Sequence, residues 1–207
     1  TVVAAALLNA LELQGKKIGE IRLVILGTGP SGMGCANLLL EFGVRLENLV
    51  MVDHRGVLYD GRDGETNPFE ARFARPTPAR TLADAMEGAD VLVGCSVGGL
   101  VNRKMVASMA DRPAIFALAT PDPEISYHEA RSVREDLIMA TRRIDCPTEI
   151  NNSLAFPFIL RGALDVRATT INAGMMLAAA RALAELAREE LPRELAEAYG
   201  EQVIRFV

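Results

Sequence analysis

Three glycines, one aspartate and a pair of asparagines have the strongest claim on a ligand in this sequence of 207 residues. Gly27-Thr28-Gly29-Pro30-Ser31-Gly32 spells G-x-G-x-x-G. Gly27 would make a tight turn, Gly29 would let a pyrophosphate approach the backbone, and Gly32 would let a helix and a strand pack closely. Pro30 and Ser31 belong to the same cofactor-binding turn, and the unsatisfied N–H groups at the helix start would face the phosphate charge. Asp53 follows Gly32 by twenty-one positions, the spacing of a carboxylate that binds the adenine ribose hydroxyls. That acid favours NAD. Arg55 leaves NADP open, because an arginine can accept a 2′-phosphate, and plain solvation of Arg55 is an equally good reading. Ser96, with Gly98 and Gly99, would let a nicotinamide pass close to the backbone, and a simple turn explains them as well. Asn151 and Asn152 either both serve to open a helix, or one caps while the other hydrogen-bonds a polar substrate.

Other chemistries find little support. Neither His54 nor His128 has a metal-ligand partner three or four residues on, and Asp145, Glu149 and Asp165 read as helix-end and surface carboxylates. No serine or cysteine sits in a nucleophile elbow or beside a recognisable histidine. A net charge of −5 leaves no basic footprint, which argues against nucleic acid. No apolar run reaches the ~18 residues of a membrane span, and residues 2–13 read as a helix rather than a signal peptide. Cys35, Cys95 and Cys146 are odd in number and form no C-x-x-C pair, so buried thiols in a reducing, cytoplasmic setting are expected.

The elements that must carry these residues alternate. Apolar, β-branched runs predict strands at 21–26, 48–53, 90–94, 114–118 and 137–141. Helices are predicted at 2–13, 33–43, 69–73, 81–86, 102–109, 152–163 and 170–190, with Thr81 and Asn102 as caps. Residues 54–67 read as a surface excursion with a small hairpin near Val57. This alternation predicts a single α/β domain over residues 1–207, a doubly wound parallel sheet of Rossmann type covered on both faces. Its ligand crevice would lie beyond the carboxyl ends of the strands, lined by loops at 27–32, 53–56, 95–99, 119–123 and 141–152.

The stretch Asn151-Asn152-Ser153-Leu154-Ala155-Phe156-Pro157, followed by the RGALDVRAT run at 161–169, resembles the C-terminal part of bacterial-type malic enzymes. The likeness extends to residues 1–13, to the M-V-D-x-x-G stretch at 51–56, to A-L-A-x-P-x-P-E-I at 117–125, and to the closing Ala198-Tyr199-Gly200. It implies the cofactor-binding domain of an enzyme that oxidises malate with NAD or NADP and a divalent metal, Mg or Mn, then decarboxylates the keto acid to pyruvate. It further implies that the general acid tyrosine, the general base lysine and the metal carboxylates lie in a preceding domain. The start at Thr1, without Met, fits such a piece of a longer protein, and the whole is expected to be a homodimer. By resemblance, Thr120 stands where the family carries a substrate-contacting asparagine. Asn151 and Asn152 fall on the family's substrate side. Arg142 replaces a glycine and Ile144 a serine, which changes the shape of the substrate end. The alternative is a non-catalytic dinucleotide-binding module, or a divergent one acting on another 2-hydroxy acid.

Overall fold

The computed structural model describes residues 1–62, 67–144 and 146–189. Asp145, part of the 54–67 excursion, the expected helix end at Glu190 and the Ala198-Tyr199-Gly200 motif lie outside the described residues. Six strands form one sheet: β1 Leu23–Leu26, β2 Leu49–Asp53, β3 Gly56–Val57, β4 Val91–Gly94, β5 Ala114–Ala117 and β6 Ile138–Thr141, in the order β3-β2-β1-β4-β5-β6. All pairings are parallel except β2 with β3, where Val52 faces Val57. That short antiparallel edge is the expected hairpin. Every residue of β1, β4 and β5 is buried, as a parallel sheet covered on both faces requires.

Successive side chains of a strand point to opposite faces, and here they feed two separate cores. Leu23, Ile25, Met51, Val93 and Phe116 pack under α1 (Val2–Gln14), α2 (Pro30–Glu41) and α8 (Ala173–Leu186). Val24, Leu26, Val52, Leu92 and Ile115 pack under α4 (Leu82–Met86), α5 (Arg103–Ser108) and α6 (Tyr127–Arg131). A short α3 (Pro68–Ala71) and α7 (Phe156–Asp165) complete the helices described. Among the described residues no helix is long and apolar enough to cross a membrane.

Local chemistry sets the boundaries. Gly15, in the left-handed region at φ 66°, ends α1 where the sequence suggested. Thr81 and Asp84 form a reciprocal capping box on α4, and the Asn102 carboxamide accepts from the amides of Lys104 and Met105. Two expectations need correction. Helix α2 begins at Pro30 rather than at residue 33, because proline's fixed φ and missing N–H suit the first helical position. The helix expected over 152–163 is broken: a 3-10 turn at Asn152–Leu154 ends at Ala155, and α7 starts afresh at Phe156. An unbroken helix would place Pro157 in its interior, where the ring meets the carbonyl four residues back; the restart keeps it in the first turn.

Candidate active site

Strand β1 sits between β2 and β4, so the chain leaves it to one side and returns on the other. The loops after β1 and β4 diverge at that point and open a crevice. The glycine turn spans it. Gly27 has φ +112°, and a Cβ there would lie 2.7 Å from the Cys95 carbonyl oxygen. At Gly32 a Cβ would collide with the Gly27 carbonyl, so these two glycines are demanded by the packing of strand, turn and helix. Gly29 differs: its backbone is extended, at φ −69° and ψ 179°, and a Cβ would meet nothing within 4 Å. Among the described residues no side chain caps the first turn of α2, which leaves amide N–H groups there without a side-chain acceptor.

Asp53 ends β2 and is not solitary. Its side chain is 4% exposed and forms a fork-to-fork pair with Arg62, itself 8% exposed: Nη1 donates to Oδ1 at 3.0 Å and Nη2 to Oδ2 at 2.5 Å. Arg62 also donates to the Val57 carbonyl at 3.1 Å, and the Arg55 amide donates to Asp53 Oδ1 at 2.7 Å. Burial pushes the Asp53 carboxyl up, but the hydrogen bonds and charges of Arg62 and Arg55 outweigh it and hold the group below the usual carboxylate range. The Arg55 side chain is 37% exposed, with Nε 3.7 Å from Asp53 Oδ2. Sequence reasoning missed Arg62. Nine residues downstream, on the far side of a hairpin, it carries no local signal.

A cavity of about 810 Å³ lies over the carboxyl ends of β1, β4, β5 and β6. Pro30, Ser31, Ser96, Thr120, Arg142 and Asn152 line it together. Five of the expected cofactor and substrate residues therefore share one cavity, whereas Gly27, Gly29, Gly32, Asp53, Arg55 and Asn151 are not in its lining. The asparagine pair divides its labour. The Asn151 oxygen accepts from the Ser153 amide at 3.0 Å, and its nitrogen donates to Glu149 at 3.0 Å, so this amide is a cap. Asn152 faces the cavity and makes no side-chain hydrogen bond among the described residues.

Beneath the cavity lies a residue that the sequence did not single out. Glu124 is 0% exposed, and its carboxylate accepts from the Ser96 amide at 3.0 Å and the Ala119 amide at 3.1 Å. It ties the loop after β4 to the loop after β5, and Gly94 leaves the room that its carboxylate fills. The available signal was an acid following a proline-rich turn at the end of an apolar strand. The cysteines depart from expectation, for all three are half-buried rather than buried, and they are free. Cys35 and Cys95 both face the cavity, and the interaction between the two thiols holds Cys35 below and pushes Cys95 above the ordinary thiol value. Among the described residues no group of three histidine, cysteine or carboxylate side chains could hold a metal ion.

A crevice at the switch point, a glycine turn and a cavity beside it are shared by many dinucleotide-binding proteins. The family described as "Malic enzyme, NAD binding domain" matches residues 1–199. The chain belongs to that family. The NADP-dependent malic enzyme of Halomonas elongata is 51% identical over 205 residues, covering 99% of this chain and 48% of that protein. The NAD-dependent malic enzyme of Rhizobium meliloti is 46% identical, over 96% of this chain and 27% of that protein. Among solved structures, malic enzyme from Pyrococcus horikoshii superposes with a TM-score of 0.83 at 37% identity, over 91% of this chain and 46% of that one. The NAD-dependent malic enzyme of Thermotoga maritima gives 0.80 at 38% identity, over 93% and 50%. This malic enzyme NAD-binding domain thus spans half or less of each of these four proteins. Its relatives include both NADP- and NAD-dependent enzymes.

Proposed function

We propose that this domain is the cofactor half of a malic enzyme, in which malate is oxidised by NAD or NADP and decarboxylated to pyruvate. The observation that carries the reading is Gly29. Its neighbours Gly27 and Gly32 answer to the protein's own packing, but Gly29 faces open space, so the small residue there serves something that approaches from outside. The uncapped first turn of α2 supplies amide N–H groups for a phosphate, and Ser96, Thr120 and Asn152 lie along the cavity beyond it. The bound nicotinamide would accept a hydride from the hydroxyl-bearing carbon. Asn152 and Thr120 would hold the substrate in reach.

The Asp53–Arg62 pair bears on the cofactor. A lone carboxylate at this position repels a 2′-phosphate; one neutralised by a guanidinium does so far less, which supports acceptance of NADP alongside NAD. Among the described residues the cavity lining contains no lysine, tyrosine or histidine to take the hydroxyl proton. Among the described residues no group of three histidine, cysteine or carboxylate side chains fits a divalent metal either, and both functions fall to the rest of the protein. A homodimer and a cytoplasmic setting complete the proposal; the three free cysteines support a reducing compartment. Nothing in the comparisons favours a non-catalytic module.

The test is calorimetry and turnover with residues 1–207 alone. NAD and NADP should both bind, while malate with magnesium or manganese should give no cofactor reduction above a blank. No binding of either nucleotide would overturn the cofactor reading, and steady turnover would show that the domain holds its own acid and base.

A further inference from the structure

Three polar groups in the lining of the cavity have no hydrogen-bond or ion-pair partner among the described residues: the Thr120 hydroxyl, the Asn152 amide and the Arg142 guanidinium. The other cavity arginine is engaged, Arg72 donating to Asn37 at 3.0 Å, and Arg143, next in sequence, lies 3.7 Å from Asp122. Arg142 follows directly on Thr141, the buried last residue of β6. Its charge acts on the Cys95 thiol at the end of β4, opposing the groups that raise it. Strand β5 lies between β4 and β6, and Thr120, which follows β5, lines the same cavity as Cys95 and Arg142. An unpaired cation facing a concave site is a place for an anion, and the planar fork of arginine matches a carboxylate in two hydrogen bonds.

We infer that Arg142 binds the substrate carboxylate that is retained through the reaction. The inference rests on the malate reading above, and the chemistry selects which carboxylate. One of the two leaves as neutral CO2. A guanidinium on that group would stabilise the charged ground state more than the transition state and slow its loss. The other carboxylate keeps its charge from malate to pyruvate, so a cation beside it binds substrate, keto acid and product alike. Such uniform binding is expressed in KM rather than in kcat. Arg142 is therefore a substrate-binding residue that this chain adds to Asn152 and Thr120.

The test compares the intact protein with its Arg142→Gln and Arg142→Lys variants. Pyruvate and oxalate are titrated into the complex with reduced cofactor by nicotinamide fluorescence, and malate kinetics are run alongside. Loss of a charge-assisted pair predicts a ~10- to 100-fold weaker pyruvate Kd in Arg142→Gln. The malate KM should rise by a similar factor, kcat should fall far less, and cofactor affinity should hold. Arg142→Lys should recover part of the loss, and unchanged thermal melting would show that the fold is intact. Equal pyruvate affinity in wild type and Arg142→Gln would overturn the inference. So would a raised malate KM with unchanged pyruvate binding, which would place the guanidinium on the departing carboxylate, or a loss of cofactor affinity, which would place it on the nucleotide. If the wild type ignores malate, the parent reading fails by itself. Oxalate, which has no reaction to perform, then still decides: tighter binding to wild type than to Arg142→Gln keeps the carboxylate site, and equal or no binding removes it.

Discussion

An aspartate at the end of the second strand is ordinarily read as a ribose ligand, but the surroundings of Asp53 decide what charge a ribose would meet there. Arg62 engages both of its oxygens, and both side chains are nearly inaccessible. Arg62→Ala should leave a buried carboxylate unpaired, at a cost of about 3–5 kcal/mol in denaturant unfolding. In the protein that remains folded, NADP affinity should fall more than NAD affinity, because the freed charge repels the 2′-phosphate. Asp53→Ala should do the reverse. If Arg62→Ala weakens both cofactors equally, the pair is a structural clamp without influence on selectivity. Spacing alone singled out Asp53, whereas its partner carried no such signal: the pairing exists only once the β2–β3 hairpin has folded back. The same holds for Glu124, a glutamate of ordinary sequence context whose role is fixed by two loops that meet only in three dimensions. Asn151 and Asn152 show the intermediate case, where composition marked the pair and only geometry told the cap from the cavity residue.

Among the elements, the strands were the most legible, since runs such as Leu23–Leu26 and Ala114–Ala117 are buried on both faces and must be apolar throughout. Helix ends with a side-chain cap, at Thr81 and Asn102, were equally readable. The errors came at prolines, where one residue type can open a helix or break one depending on its position in the turn. The strand–turn–helix unit invites a paired experiment. Gly32→Ala should destabilise the domain by about 1–3 kcal/mol in thermal or chemical unfolding, because its methyl meets the backbone of Gly27. Gly29→Ala has open space around it and should leave stability within about 0.5 kcal/mol of the parent. Its effect should appear in calorimetry as at least a tenfold weaker cofactor, about 1.4 kcal/mol. A Gly29→Ala domain that binds nucleotide normally would mean that the phosphates pass elsewhere.

For the molecule as a whole, alternation of strands and helices foretold a doubly wound sheet with two covered faces. Strand order was not in the periodicity; it follows from where the crossovers turn, and those turns are made by glycines and loops that carry little pattern of their own. The resulting sheet places the glycine turn, Ser96, Thr120, Arg142 and Asn152 on one rim, although they are scattered over most of the chain. The buried Glu124 then has a mechanical consequence. By holding the amides of Ser96 and Ala119 on one carboxylate, it couples two loops into a single stiff plate, so that this wall of the cavity can tilt but its halves cannot flap independently. Amides in surface loops usually exchange with solvent quickly, but these two should exchange slowly and at a common rate, set by the opening of the plate rather than by the fraying of either loop. Hydrogen–deuterium exchange resolved to single residues would read this directly. Glu124→Gln should speed both amides together, and independent rates in the wild type would mean that the loops move separately.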